Sequence, residues 1–181
     1  DIRTGREASE YASEIRRTVR YLGVSDGNMQ EGSLRCDVNI SVRRGPEAPF
    51  GTKVEIKNMN SFSAIQKACE YEIKRQIKVY EEGGEIYQET RLWDESKQTT
   101  KSMRLKEGSS DYRYFPDPDL GPIELSKNRI AKWIKELPEL PYKKRHKYVN
   151  EFGLSAYDAR ILSDEIYMAI FFEETVKYGA D

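Results

Sequence analysis

Apolar and polar residues alternate without interruption over residues 34–42, and this pattern predicts a strand. Side chains that alternate with a period of two point to opposite faces of a strand, so one face packs and the other carries polar groups. Residues 53–57 repeat the pattern, with Val54 and Ile56 between charged side chains. A Pro/Gly-containing loop joins the two segments, which favours an antiparallel pair.

The polar positions of these two strands are unusual in their chemistry. Carboxylate and amide oxygens are hard donors of the kind that magnesium accepts beside phosphate, and neighbouring bases can offset charge on a transferred phosphoryl group. The plainer alternative is a solvated face whose opposite charges pair across strands, each pair contributing about 0.2–1 kcal/mol. If the strands share a sheet, one surface carries Asp37, Asn39 and Glu55 among Arg35, Lys53 and Lys57.

Helical periodicity precedes and follows these strands. Thr4 and Glu7 form a capping-box pattern, and the apolar spacing after them predicts a helix that ends at Gly23. Ser61 is a predicted N-cap of a long amphipathic helix that ends at Gly83, with its apolar stripe at Phe62, Ile65, Cys69, Ile73, Ile77 and Tyr80. The arginines off the first stripe are interpreted as a solvated face: Arg16, Arg17 and Arg20.

The long helix starts directly after the second strand, so its N-terminus is expected beside the polar surface. Free backbone N–H groups there can bind an anion such as phosphate or a carboxylate. The alternative is that Ser61 only caps the helix. A strand, a turn and a return strand are predicted over residues 86–105. Arg91 and Arg104 in this hairpin face either the anion-binding side or, more plainly, the rim, where Glu89 and Glu95 can pair with them.

The remaining chain changes character. Residues 111–119 contain two prolines that exclude a helix or a central strand, and they form either a recognition wall or an aromatic plug. From Ser126 onward the pattern predicts four helices, and we place the domain boundary near Leu125. The basic run at residues 143–147 is interpreted as a solvated face, with His146 exposed on it.

Composition restricts the class of protein. The 181 residues carry 30 basic and 31 acidic side chains, a net charge of −1, so no global field attracts nucleic acid. No apolar run approaches the ~20 residues of a spanning helix, so we expect no membrane association. Cys36 and Cys69 lack metal-binding spacing and are interpreted as free thiols of a reducing compartment.

Four long motifs, at residues 31–41, 54–62, 88–95 and 111–119, occur in an order that identifies a family. The sequence resembles GatB, the B subunit of the glutamyl/aspartyl-tRNA amidotransferase. Members of that family begin upstream of the first motif and continue past the helices, so the resemblance implies an internal piece. It also implies an α+β fold, an antiparallel-sheet cradle similar to glutamine synthetase over residues 1–125, followed by an all-α helical domain over residues 126–181.

The resemblance further implies an ATP-dependent ligase activity in protein biosynthesis. The side-chain carboxylate of Glu-tRNA(Gln) or Asp-tRNA(Asn) is phosphorylated by ATP, and ammonia from the amidase subunit then displaces the phosphate. Mg²⁺ and ATP are the implied cofactor and substrate. The implied partners are the amidase (A) subunit and the small (C) subunit of the GatCAB complex, together with misacylated tRNA. The implied location is the bacterial cytoplasm or an organellar matrix or stroma.

Motif position assigns roles to individual residues. Glu55 is the first and Asp37 the second candidate metal ligand, and both are candidate catalytic residues together with Arg35 and Lys57. Two alternatives stay open, a non-catalytic structural module derived from this family and a tRNA-binding module that uses only the helices. The candidate substrate- or nucleotide-binding residues are Asn39, Asn60, Ser61, Arg91, Arg104 and Arg113.

Overall fold

The structure is a computed structural model that describes residues 2–105 and 115–179. It is an α+β fold with a four-stranded sheet and helices before, between and after the strands. The elements in chain order are α1 (Gly5–Tyr21), β1 (Cys36–Ile40), β2 (Val54–Met59), α2 (Phe62–Glu81), β3 (Glu89–Asp94), β4 (Thr99–Leu105), α3 (Lys127–Glu136), α4 (Pro141–Asn150), α5 (Ala156–Leu162) and α6 (Ile166–Lys177).

The chain forms two compact units, which are described separately. Unit 1 comprises residues 1–16 and 25–108, and unit 2 comprises residues 17–24 and 109–181. These two units are defined by how compactly their residues pack. The domain boundary near Leu125 stays a prediction.

The sheet of unit 1 has the order β1-β2-β3-β4. Strands β1 and β2 are antiparallel, as predicted, and so are β3 and β4. The expectation of a wholly antiparallel sheet was wrong, because β2 and β3 are parallel. Parallel neighbours need a crossover connection, and α2 supplies it between them. The glutamine-synthetase-like cradle stays a prediction.

Helix α2 packs on one face of this sheet. Val54 and Ile56 are fully buried on that face, and Ile65 and Cys69 of the helix pack in the same core region. Helix α1 begins close to α2, since a Cβ at Gly5 would lie 2.6 Å from the carbonyl oxygen of Gln66. Only glycine allows the helix to begin at this distance.

The predicted helix starts are confirmed. The Glu7 N–H donates to Thr4 Oγ1 (3.1 Å), and the Thr4 N–H donates to the Glu7 carboxylate (3.0 Å). The Ala64 N–H donates to the Ser61 hydroxyl at 3.0 Å. Strand β3 is shorter than predicted, starting at Glu89 rather than near residue 86, whereas the return strand β4 has the predicted bounds.

The buried face of α2 differs from the predicted stripe in its second half. Ile77 and Tyr80 are 43% and 38% exposed, while Glu72 and Gln76 are fully buried. The Gln76 amide donates to the Ile40 carbonyl (3.2 Å) and to Glu72 (3.0 Å). These hydrogen bonds therefore stabilise polar side chains on the side of α2 that faces the sheet.

Unit 2 has a small aromatic core. Tyr148 of α4 is fully buried and contacts Phe152 and Phe172 with ring centroids 5.9 Å and 4.8 Å apart. Ser155 caps α5, with the Asp158 N–H donating to its hydroxyl. Ser126, where the first of the four predicted helices begins, caps α3, but none of the residues of α3 is buried, so this helix forms no core in the described chain.

Two predicted solvated faces are corrected in part. Arg17 donates to Asp164 at 2.5 Å and Arg20 pairs with Glu165, both within unit 2. In the basic run, Lys144 is 7% exposed and binds Glu173, although His146 is exposed as predicted. Basic side chains whose ion partners are distant in sequence cannot be recognised by spacing.

Composition led to two expectations, that the cysteines are free thiols and that the chain has no membrane-spanning helix. Cys36 and Cys69 are free thiols, and burial raises the pKa of Cys69 to about 11. None of the helices in the described part of the chain combines the length and apolar character that a membrane crossing requires.

Candidate functional site

Polar side chains of β1 and β2 lie on the sheet face opposite α2. Asn39 of β1 pairs in register with Glu55 of β2, and partners in an antiparallel pair point to the same face. Asp37 lies two residues before Asn39, at an irregularity of the register, and its carboxylate is bonded to Lys57 of β2. The structure therefore brings together the two carboxylates and the amide that the sequence placed on one surface.

Lys57 bridges the two carboxylates. Its ammonium group bonds to Asp37 and lies 3.3 Å from Glu55 Oε1. The side chains differ in exposure, with Asp37 at 47%, Lys57 at 33% and Glu55 at 16%. The hydrogen bond from Lys57 to Asp37, with a further one to Glu55, raises the pKa of the lysine above its ordinary value. The Lys57 ammonium group is therefore charged in the folded protein near neutral pH.

The second oxygen of Glu55 has a neutral donor. Thr90 of β3 is paired in register with Glu55, and its hydroxyl donates to Glu55 Oε2 at 3.0 Å. Arg104 of β4 is in turn the register partner of Thr90 and is exposed. A row of polar groups thus crosses the sheet from Asn39 through Glu55 and Thr90 to Arg104. We call these four residues, with Asp37 and Lys57, the polar row.

Other predicted site residues lie at the ends of the strands. Arg35 is exposed just before β1. Asn60 is exposed between β2 and α2, and Ser61 is the N-cap described above. Asn58 precedes them in a left-handed conformation (φ 73°), and its amide donates to the Trp93 carbonyl at 3.1 Å. This contact links β2 to β3 where the chain leaves the sheet.

Arg91 lies on the other face of the sheet, toward α2. Its guanidinium donates to the Thr100 hydroxyl (2.7 Å) and to Glu89 (2.6 Å), and it lies 3.7 Å from the buried Glu72. The anion-binding alternative for Arg91 is therefore not what the structure shows, whereas its pairing with Glu89 is. The odd positions of β3 face the helix, which removes Arg91 from the polar row.

The electrostatics beneath α2 fit a structural role. Burial raises the pKa of Glu89, but hydrogen bonds from Ser102 and Arg91 outweigh it and leave the pKa below its ordinary value. Arg75 is held by Glu72 through two hydrogen bonds. Charges in this cluster are mutually satisfied, as buried charges must be.

The described residues give only partial support to the predicted magnesium site. Asp37 and Glu55 are the right kind of donors, but Lys57 already bonds to both of them. Within residues 2–105 and 115–179, no group of three or more His, Cys, Asp or Glu side chains is arranged to hold a metal ion. Magnesium would therefore require Lys57 to move and further ligands to be supplied. The candidate Arg113 lies outside the described residues.

An open groove runs along β1 at the edge of the sheet. It has a volume of about 1400 Å³ and is lined by the first turns of α1, by β1, by the loop at residues 43–51 and by α2. Exposed apolar side chains such as Tyr11, Phe50 and Tyr80 line it, and it reaches the polar row at Asp37 and Asn39. A ligand in this groove would have apolar contacts beside the charged groups.

Sequence reasoning missed the part that Thr90 takes in the site. In the predicted strand Thr90 points to the same face as Leu92, and its spacing gives no sign of a functional role. The signal that could have found it is the alternation along the strand, because Arg91 and Thr90 point to opposite faces and Thr90 shares its face with Glu55. That signal needs the parallel register of β2 and β3.

Comparison with known proteins adds to this geometry. The B subunit of the aspartyl/glutamyl-tRNA(Asn/Gln) amidotransferase is 86% identical to this chain in Prochlorococcus marinus (strain MIT 9515). The same protein is 78% identical in Synechococcus sp. (strain CC9605) and 77% in Parasynechococcus marenigrum (strain WH8102). Each match covers all of this chain and 37% of the relative. Residues 1–131 match the GatB/GatE catalytic domain, and the chain belongs to this family.

Proposed function

We propose that this chain is part of an ATP-dependent amidotransferase that converts Glu-tRNA(Gln) or Asp-tRNA(Asn) to the amide. The observation that carries the proposal is the polar row, in which Lys57 joins Asp37 and Glu55 on the sheet face opposite α2. Membership of the GatB/GatE catalytic domain family supports it. The partners would be the amidase (A) subunit and the small (C) subunit, because the relatives are named as the B subunit of an amidotransferase.

The chemistry explains why such a row is useful. The side-chain carboxylate of the tRNA-bound amino acid attacks the γ-phosphorus of ATP, the bond to the bridging oxygen breaks, and ADP leaves. Ammonia then attacks the acyl phosphate, inorganic phosphate leaves and the amide forms. The first step brings two anions together, so cations fixed beside them lower the barrier.

Residues of the polar row have distinct roles in this scheme. Lys57 and Arg104 would bind phosphoryl oxygens, with Arg35 at the end of β1 as a third cation. Asn39 would orient the substrate carboxylate. Asn60 and Ser61 lie at the N-terminus of α2, where free N–H groups favour an anion.

Asp37 and Glu55 would hold Mg²⁺, with other ligands from outside the described residues. When bound, the metal supplies positive charge that offsets the repulsion between the carboxylate and the γ-phosphate. Without it, the same two carboxylates hold the Lys57 ammonium in place.

Substitution of Glu55 by glutamine tests the proposal in the assembled amidotransferase. Glu55→Gln keeps the shape of the side chain and removes its charge, so we expect conversion of Glu-tRNA(Gln) and the coupled release of phosphate from ATP to fall about 100-fold or more. Glu85→Gln is the matched control, because Glu85 is exposed just before β3. Thermal unfolding of both variants checks that they are folded.

Two outcomes would contradict the proposal. One is a folded Glu55→Gln variant with the activity of the parent enzyme. The other is an assembled, folded parent that neither consumes ATP nor amidates the tRNA-bound amino acid, which would leave the structural module as the better interpretation.

A further inference from the structure

Thr90 is the fully buried member of the polar row. It has no exposed surface, although it lies on the sheet face that carries Asp37 and Lys57. A buried hydroxyl requires an acceptor, and Glu55 Oε2 accepts from it at 3.0 Å. The residue therefore contacts the candidate catalytic carboxylate from within the protein rather than from the solvent side.

The two oxygens of Glu55 are held by donors of different mobility. Oε1 lies 3.3 Å from the ammonium of Lys57, a long side chain that is one third exposed. Oε2 accepts from Thr90, whose β-branched side chain has few χ1 rotamers on a strand. The threonine is the rigid partner, and Lys57 is the partner that can move.

We propose that Thr90 is a positioning residue that fixes the orientation of the Glu55 carboxylate. Its hydroxyl holds Oε2 against β3 and so turns Oε1 toward Lys57 and the open face of the sheet. When a substrate phosphate attracts Lys57, or a metal ion displaces it from the carboxylates, Glu55 keeps its orientation because the Thr90 contact remains. This inference rests on the proposed function, and its test is designed so that the two can fail separately.

The test compares three variants in the assembled amidotransferase. Thr90→Val removes the hydroxyl at nearly constant volume, and Thr90→Ser keeps a donor. Thr100→Val is the matched control, because Thr100 is also a buried threonine that donates to a carboxylate, Glu72 Oε2 at 3.2 Å, but on the α2 side of the sheet. Rates are measured with saturating and limiting ATP, and thermal unfolding is followed for each variant.

We expect Thr90→Val to lower kcat about 10- to 100-fold, since the contact joins a hydroxyl to a charged group and small displacements of a catalytic group are costly. The KM for ATP should change little, because the residue touches Glu55 and no part of the nucleotide. Thr90→Ser should retain most of kcat. Thr100→Val should lower the unfolding temperature and leave kcat near that of the parent.

The inference is overturned if Thr90→Val keeps the parental kcat, if Thr90→Ser loses as much as Thr90→Val, or if Thr100→Val loses kcat equally. A crystal structure of Thr90→Val gives a readout that does not depend on activity. The inference requires the Glu55 carboxylate to rotate or to occupy more than one orientation there, and an unchanged carboxylate would refute it. An inactive parent enzyme, by contrast, would refute the proposed function and leave this structural test in force.

Discussion

At the scale of single residues, the partly buried carboxylates of this chain are stabilised by several donors at once. Glu173 of α6 accepts from Lys144 (2.7 Å), from Lys147 (3.4 Å) and from the hydroxyl of Tyr148 (3.3 Å). Burial raises the pKa of Glu173, but the hydrogen bond and charge of Lys144 outweigh it, and the pKa lies below its ordinary value. Ionised Glu173 is therefore part of the folded state of unit 2.

Glu173→Gln should lower the free energy of unfolding by about 1–3 kcal/mol at pH 7, because Lys144 loses the nearer of its ionised partners. The folded pKa of Glu173 is lowered, so its contribution is present above the unfolded value of 4.5 and is lost as pH falls through the folded value. The difference between parent and variant should thus shrink below about pH 4.5. Urea unfolding at several pH values measures it. Exposed Glu174 provides the control Glu174→Gln, and a constant difference down to low pH would contradict the assignment.

Local residue chemistry was predictable where its partners are close in sequence. Ser61 and Thr4 were identified as caps because each bonds to a backbone group three residues away. Lys144 was misread as solvated because Glu173, which accepts its hydrogen bond, is 29 residues distant. The pairing of Asp37 with Lys57 was predictable in part. The alternation of the two strands indicated that both side chains share a face, but it did not indicate that Lys57 bonds to Asp37.

At the scale of elements, helix α2 connects the polar row to the core of unit 1, and its first turn depends on Ser61. The serine hydroxyl accepts from the Ala64 N–H, one of the N–H groups that have no partner within the helix. Its backbone is extended, as expected for an N-cap.

Ser61→Ala should lower the free energy of unfolding of the chain by about 1 kcal/mol. Ser63→Ala is the control, because Ser63 is exposed within the same turn and carries no cap bond. Urea denaturation followed by circular dichroism compares the two. Equal losses would show that the hydroxyl of Ser61 does not cap the helix.

The elements themselves were largely predictable, but their arrangement was not. Each of the ten helices and strands in the described residues corresponds to a predicted segment. The parallel pairing of β2 and β3 was missed because alternation fixes the faces of a strand and says nothing of its direction. The buried face of α2 was missed because Glu72 and Gln76 look solvent-facing until their partners Arg75, Arg91 and Ile40 are known.

At the scale of the whole chain, residues 17–24 belong to unit 2 although they precede all of the sheet. Tyr21 is 4% exposed there, and its hydroxyl donates to the carbonyl of Ser163 at 2.8 Å. Burial raises the pKa of Tyr21 to about 12. The C-terminal turn of α1 is therefore part of the core of the helical unit.

Tyr21→Phe should lower the free energy of unfolding of unit 2 by about 1–2 kcal/mol, because the Ser163 carbonyl loses its donor in a buried place. Tyr11→Phe is the control, since Tyr11 is 59% exposed. Amide hydrogen exchange of α5 and α6 measures the effect within the unit. A polypeptide of residues 109–181 alone, which lacks Tyr21, should exchange faster still, and native-like protection in it would contradict the assignment.

The crossover that joins β2 to β3 also decides how the polar row can be reached. Helix α2 packs on one side of the sheet, with Ile56, Ile65 and Trp93 buried between them. Glu55 and its register partners Asn39 and Thr90 lie on the opposite side, so a ligand that contacts Glu55 meets the face that α2 leaves uncovered. If the proposed function holds, a photoreactive group on the acceptor end of the tRNA should label Asn39, Lys57 or Arg104 in preference to the buried residues of α2.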